Sequence, residues 1–203
     1  MSFFDLFKKS TKKDPVGETS PDTEKFARAQ KAVRKFLPII KAKYIAPDGS
    51  LHAGTMLSAS AWLTGTSLYR SFNFTHTDPP GTVIKNDEIN KEWESLLFML
   101  EGYLFGKADI PVGRLMMAAL TAPEFFKPKV DMLRVQTDLQ DQYNAVMKKH
   151  GFDYLDGARA GIVLCCAFIQ QYDGAKIIDK TASSGIVAQA ILEAAKSVPP
   201  PLK

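Results

Sequence analysis

Apolar side chains recur at the spacing of amphipathic helices along most of this chain, and turn or capping residues separate the periodic stretches. The pattern predicts seven helices, at about residues 23–44, 51–72, 86–106, 111–121, 129–150, 154–172 and 184–197. No stretch longer than four residues alternates as a β-strand would. The sequence therefore predicts an all-α domain, either a helical bundle or an orthogonal array of about six or seven helices.

The periodic stretches also divide the chain. We predict a disordered basic tail over residues 1–22, one helical domain over residues 23–198, and a proline-rich end over residues 199–203. Thr23 is placed to cap the first helix, and Ser183 or Ser184 to cap the last. Pro38 is expected to kink or split the first helix, because it removes one backbone hydrogen bond.

The interior of the domain is suggested by two features. The second half of the third helix is apolar on nearly every face, which predicts that this helix is central. Small residues form one stripe on the second helix and one on the sixth: Gly54, Ser58, Ala61 and Gly65, then Gly157, Gly161 and Cys165. Such stripes are typical of closely packed helices, and the alternative is that they leave room for a flat or elongated ligand.

Composition points to an ordinary globular protein. The chain has 203 residues, of which 45% are hydrophobic and 24% charged. We find no apolar run long enough to span a membrane and no secretory signal, so we expect a cytoplasmic protein. Cys165 and Cys166 are adjacent in an apolar helix and point about 100° apart, which indicates two buried thiols in a reducing compartment.

The positive charge is concentrated near the N-terminus. Residues 1–43 hold eleven Lys or Arg against five Asp or Glu, whereas residues 44–203 hold fifteen against seventeen. Within the tail, the aromatic residues Phe3, Phe4 and Phe7 precede Lys8 and Lys9. Such a segment can insert its rings into an anionic membrane, where each lysine contributes about 1 kcal/mol. The same phenylalanines could dock into a partner protein, or the tail could be inert.

Signatures of catalysis and metal binding are missing from the sequence. It has no phosphate-binding loop, nucleophile elbow or kinase signature, and its histidines, His52, His76 and His150, are not spaced as zinc ligands. We therefore expect no metal and no cofactor, and an enzyme is the less favoured interpretation.

Three charged residues lie in apolar surroundings, namely Glu101, Arg114 and Arg159. A buried charge without a partner is costly, so Glu101 is expected to pair with Arg159 or Arg114 inside the bundle. The alternatives are that some of these residues are exposed, or that they anchor the polar end of a ligand in an apolar pocket between the second, third and sixth helices.

These observations favour a non-enzymatic helical binding protein of bacterial type, whose partner is another protein or a second copy of the chain. Its N-terminal tail could bring it to the inner membrane surface. The second hypothesis is a protein that binds a lipid-like or ring-shaped small molecule, with or without catalysis. Binding of nucleic acid is a weaker alternative. It would use the basic face of the first helix, formed by Lys25, Arg28, Lys31, Arg34, Lys35, Lys41 and Lys43.

Overall fold

The computed structural model describes residues 21–75, 77–106 and 110–202, with side chains from Thr23 onward. These residues form seven α-helices and one short 3-10 helix, Glu124–Phe126. The α-helices are α1 Pro21–Tyr44, α2 Ala53–Ser71, α3 Asp87–Phe105, α4 Val112–Leu120, α5 Met132–Lys149, α6 Tyr154–Gly174 and α7 Lys180–Ala195. Within the described residues there is no β-strand, although isolated bridges join Ile45 to Leu51 and Val83 to Ser197. The predicted all-α class is confirmed.

Side-chain caps account for most of the helix starts. Asn86 accepts hydrogen bonds from the N–H groups of Glu88 and Ile89, and Asp131 and Asp153 cap α5 and α6 in the same way. The last helix begins earlier than the sequence suggests, since Asp179 is its cap. Ser183 and Ser184 are therefore buried inside α7 rather than at its start, because the carboxylate one turn upstream already satisfies the first N–H groups.

The first helix is continuous. It runs from Pro21 through Pro38 to Tyr44, so Pro38 does not split it, and Thr23 lies in its first turn rather than at its cap. One carbonyl loses its intrahelical donor at Pro38. Burial of Val33, Phe36 and Ile40 against the core holds the helix together across this position.

The central helix is α2, not α3 as the sequence suggests. Every residue from Ala53 to Tyr69 is buried, whereas α3 exposes Phe98 and Tyr103. Burial of so many hydroxyl groups is tolerated because they bond to the preceding turn of their own helix: Thr64 donates to the carbonyl of Ser60, and Thr66 to that of Trp62. Helices α5, α6 and α7 pack around α2.

Small residues set the close packing around α2. Gly161 of α6 lies against Thr64, and Thr64 Oγ1 is 3.8 Å from Cys165 Sγ, so the predicted packing of the second and sixth helices is confirmed. The stripe on α2 faces elsewhere, because Gly65 lies against the carbonyl of Ile191 in α7 and Gly54 against that of Phe126. The small residues of the two helices therefore pack against three different neighbours, namely α2, α7 and the 3-10 helix.

Both cysteines are buried and unbridged, as predicted. Burial raises the pKa of the Cys165 thiol to about 11, and it raises the pKa of Cys166 as well. These thiols therefore stay protonated at neutral pH and pack as small apolar groups. Among the described helices, none is both long and apolar enough to cross a membrane.

Candidate functional site

The three charged residues singled out in the sequence lie in different environments. Glu101 is 5% exposed and accepts a hydrogen bond of 3.4 Å from the backbone N–H of Ile110. Arg114 is exposed on α4, and Arg159 is half-buried on α6, 3.7 Å from Asp156 Oδ1. Across residues 21–75, 77–106 and 110–202, no ion pair joins Glu101 to either arginine. The expected buried pair is not formed by these residues.

Other candidates from the sequence fall outside the described residues. These are the N-terminal residues Phe3, Phe4, Phe7, Lys8 and Lys9, together with His76. The predicted contact of the N-terminal residues with a membrane or a partner stays a prediction.

Arg159 borders a cleft between α1, α3 and α6, which we call the α1–α6 cleft. Its volume is about 380 Å³. Its apolar wall is formed by Phe26, Ala29, Met99, Tyr103, Phe152, Ala160 and Val163. The Phe26 and Tyr103 rings stack with their centroids 5.2 Å apart, and burial raises the pKa of the Tyr103 hydroxyl. The sequence suggested a pocket between the second, third and sixth helices. The cleft adjoins α3 and α6 as expected, but its remaining side is formed by α1 rather than by α2.

The polar edge of the α1–α6 cleft has more positive than negative groups. Lys25 Nζ lies 2.7 Å from Asp156 Oδ1, and Arg159 Nη1 approaches the same oxygen. Asp156 belongs to the first turn of α6, where the helix dipole stabilises a carboxylate. Sequence reasoning missed Lys25 as a member of this cluster, whereas Asp156 lies one turn before Arg159 in the sequence. The three-residue spacing of Asp156 and Arg159 on one helix face was the available signal.

A second feature is an apolar surface on α4, which the sequence did not single out. This nine-residue helix has one charged residue, Arg114, and buries only Leu115. Met117 is 58% exposed and Leu120 is 71% exposed, while Phe125 in the following 3-10 helix is 67% exposed. We call Met117, Leu120 and Phe125 the α4 face. Large apolar side chains grouped on a surface are typical of sites that bind another molecule.

Beside the α4 face lies a groove of about 370 Å³ between α4, the 3-10 helix, α2 and α7, which we call the α4 groove. Its apolar lining includes Trp62, Ala119, Leu120, Phe126, Ile186 and Ala190. Its polar lining contains both signs of charge. Glu124 pairs with Lys127 at 2.8 Å, and Glu193 accepts a 2.9 Å hydrogen bond from the Trp62 indole.

The segment that carries the α4 face is held against the core at both ends. Gly185 of α7 lies directly against the carbonyl of Leu115, so no larger residue would fit between α7 and α4. His52 Nδ1 accepts a hydrogen bond from the N–H of Thr55, so its Nε2 carries the proton and donates to the Phe125 carbonyl at 2.7 Å. The face is therefore presented by an anchored segment rather than by a free loop.

Neither a cluster of metal-binding side chains nor a similarity to a known protein assigns a chemistry to these surfaces in the described part of the chain. In the described part of the chain, no group of three or more His, Cys, Asp or Glu side chains is arranged to hold a metal ion. Comparisons with protein-family models, with curated proteins and with solved structures find no match to this chain.

Proposed function

We propose that this protein is a helical interaction domain that self-associates through its α4 face. The observation that carries the proposal is the exposure of Met117, Leu120 and Phe125 on an anchored segment with one charged residue in its helix. Methionine and aromatic residues are enriched at protein interfaces, since they bury large areas and adapt to a partner's shape.

A second copy of the chain suits this surface because the surface carries both halves of a contact. Leu120 and Phe125 project from it, and the α4 groove beside them is lined by Trp62, Ile186 and Ala190. In a twofold dimer, the projecting residues of each copy can enter the groove of the other. The mixed charges of Glu124, Lys127 and Glu193 are also compatible with such a self-complementary rim.

The expected affinity is modest. Full burial of a Met, Leu or Phe side chain contributes about 1.5–3 kcal/mol, and these residues are only partly exposed to begin with. Six such side chains from two copies supply on the order of 10 kcal/mol, and the apolar linings of the two α4 grooves that they enter contribute about as much. Against an association cost of roughly 4–15 kcal/mol, a net gain of about 8 kcal/mol corresponds to micromolar affinity. We therefore expect a dimer that dissociates in the micromolar range.

The test is the mass of the full-length protein in solution as a function of its concentration, by sedimentation equilibrium. We expect the mass to rise from 22.4 kDa toward twice that value. Leu120→Glu and Phe125→Glu should each weaken association by about tenfold or more, because a charge would be buried at the contact. Matched controls are Val83→Glu and Phe98→Glu, which alter residues of the same exposure, 71% and 67%, elsewhere on the surface.

The proposal fails if the wild type remains at 22.4 kDa up to about 100 μM, where a micromolar dimer would be formed. It also fails if the control variants weaken association as much as the α4-face variants do. Retained circular dichroism in all four variants separates loss of association from loss of folding.

The proposal places this domain in the cytoplasm, with residues 1–22 available for a second contact at the inner membrane surface. That part rests on the sequence pattern of Phe3, Phe4, Phe7, Lys8 and Lys9. A dimer would present two such segments, and two weak membrane contacts bind far more tightly than one.

A further inference from the structure

The α1–α6 cleft combines an aromatic wall with a cationic edge. Phe26, Met99 and Phe152 contribute apolar surface from three separate parts of the chain. Phe152 is packed under Arg28, whose guanidinium carbon lies 5.5 Å from the ring centroid. Phe152 is therefore held in the wall by a neighbour that does not itself line the cleft.

The charges at the edge are unequal in number. Lys25 and Arg159 share a single oxygen of Asp156, and Lys25 holds that oxygen at 2.7 Å. Arg159 stays at 3.7 Å, beyond hydrogen-bond distance, and within the described residues it takes part in no hydrogen bond. The guanidinium thus borders the cleft with N–H donors that Asp156 does not use.

We propose that the α1–α6 cleft binds a small amphiphile with one carboxylate head group and an apolar body. The carboxylate accepts hydrogen bonds from Arg159, which can donate two parallel bonds to such a group, and it lies near the ammonium of Lys25. The apolar body lies against Phe26, Met99 and Phe152, where it displaces water from aromatic surface.

The size of the cleft selects among amphiphiles. About 380 Å³ is near the lower end of the range for small-molecule sites, roughly 300–1,000 Å³. A medium-chain fatty acid or an aromatic acid fits this space, whereas a lipid with two long chains does not. The cleft is formed by α1, α3 and α6 and shares no residue with the α4 face, so this inference does not depend on self-association.

The experiment is isothermal titration of the full-length protein with decanoate, and in parallel with decyltrimethylammonium, which has the same chain and the opposite charge. We expect decanoate to bind at least about tenfold more tightly. Arg159→Gln should remove about tenfold of the decanoate affinity, whereas Arg114→Gln, a change at an exposed arginine on α4, should leave it unchanged.

A second pair of variants tests the location without removing a charge that lines the cleft. Ser95 is exposed at the mouth of the cleft, so Ser95→Trp should block entry while the core stays intact. Lys91→Trp, at an exposed position one turn earlier on α3 that does not line the cleft, is its control. Circular dichroism confirms that each variant is folded.

Three outcomes would overturn the proposal. They are no detectable binding of decanoate, equal binding of the two oppositely charged chains, and unchanged decanoate affinity in both Arg159→Gln and Ser95→Trp. Equal binding of the two chains would reduce the cleft to a patch of unspecific apolar adsorption.

Discussion

At the residue scale, Gly161 allows α6 to pack closely against α2. A Cβ atom added at Gly161 would overlap Thr64 Oγ1 and would lie 2.9 Å from the Tyr143 hydroxyl. Neither neighbour can move freely. Thr64 donates to the Ser60 carbonyl, and the Tyr143 hydroxyl donates to the Gly157 carbonyl at 2.7 Å.

We therefore expect Gly161→Ala to destabilise the protein by roughly 1–3 kcal/mol, as overpacking of a core does. The matched control is Gly102→Ala on α3, where a Cβ would meet no atom within 4 Å. That change should stabilise the protein by about 0.5–1 kcal/mol, because alanine is the better helix former. Urea unfolding measures both changes in the free energy of unfolding.

The same experiment can identify the clashing atom. Thr64→Ala removes the hydroxyl that Gly161→Ala would meet, so the double variant should lose less stability than the sum of the two single variants. Strict additivity would show that Thr64 is not the obstacle.

At the scale of helices, Asp138 ties α1 to α5. Its carboxylate lies 3.1 Å from Lys43 Nζ at the end of α1 and 2.8 Å from Arg134 Nε on its own helix. Partial desolvation acts to raise the pKa of Asp138, but the hydrogen bonds from Lys43 and Arg134 outweigh it and lower this pKa below its usual value. The folded state therefore favours the ionised carboxylate more than the unfolded state does.

It follows that the contribution of Asp138 to stability is present above its unfolded pKa, near 3.9, and is lost as the pH falls through its lower folded value. Asp138→Asn should cost about 0.5–1 kcal/mol at pH 7, and the difference from wild type should vanish at the acid end of the titration. Urea unfolding between pH 7 and pH 2 measures this difference. Glu94→Gln, which alters an exposed acid on α3, is the control.

Helix periodicity and capping explain why the sequence predicts the helices well. Glycines with positive φ angles, such as Gly49, Gly81 and Gly151, lie in the turns between helices and mark these turns in the sequence. The central helix could not be identified in this way. Its Ser and Thr residues look polar in sequence, yet Thr64 and Thr66 satisfy their hydroxyls within the helix and so allow burial.

The candidate sites were less predictable, because they depend on which helix faces remain uncovered after packing. Arg159 was found from its apolar neighbours, but Lys25, which shares Asp156 with it, is distant in sequence. Leu120 is apolar and at helical spacing, as a core residue would be, and only the arrangement of α4 on α7 leaves it exposed.

At the scale of the whole molecule, much of the positive charge of α1 is used internally. Lys25 and Lys43 pair with acids of α6 and α5, Arg28 covers Phe152, and Lys41 donates to Gln171 Oε1. These contacts engage four of the seven basic residues of this helix face in packing, whereas Lys31, Arg34 and Lys35 are exposed. The N-terminal segment adds Lys8, Lys9, Lys12 and Lys13, which lie outside the described residues.

We therefore predict that membrane contact, if it is made through the N-terminus, depends on Phe3, Phe4 and Phe7 together with Lys8 and Lys9. Flotation of the full-length protein with vesicles containing phosphatidylserine should recover more protein than flotation with neutral vesicles, and salt should reduce the difference. Replacing the three phenylalanines by serine should abolish recovery, because the lysines alone cannot insert into the membrane. Leu120→Ser is the control, since the α4 face is an apolar surface within the described residues that could also enter a bilayer. If Leu120→Ser lowers recovery and the phenylalanine variant does not, the membrane contact belongs to α4 and the N-terminal hypothesis is wrong.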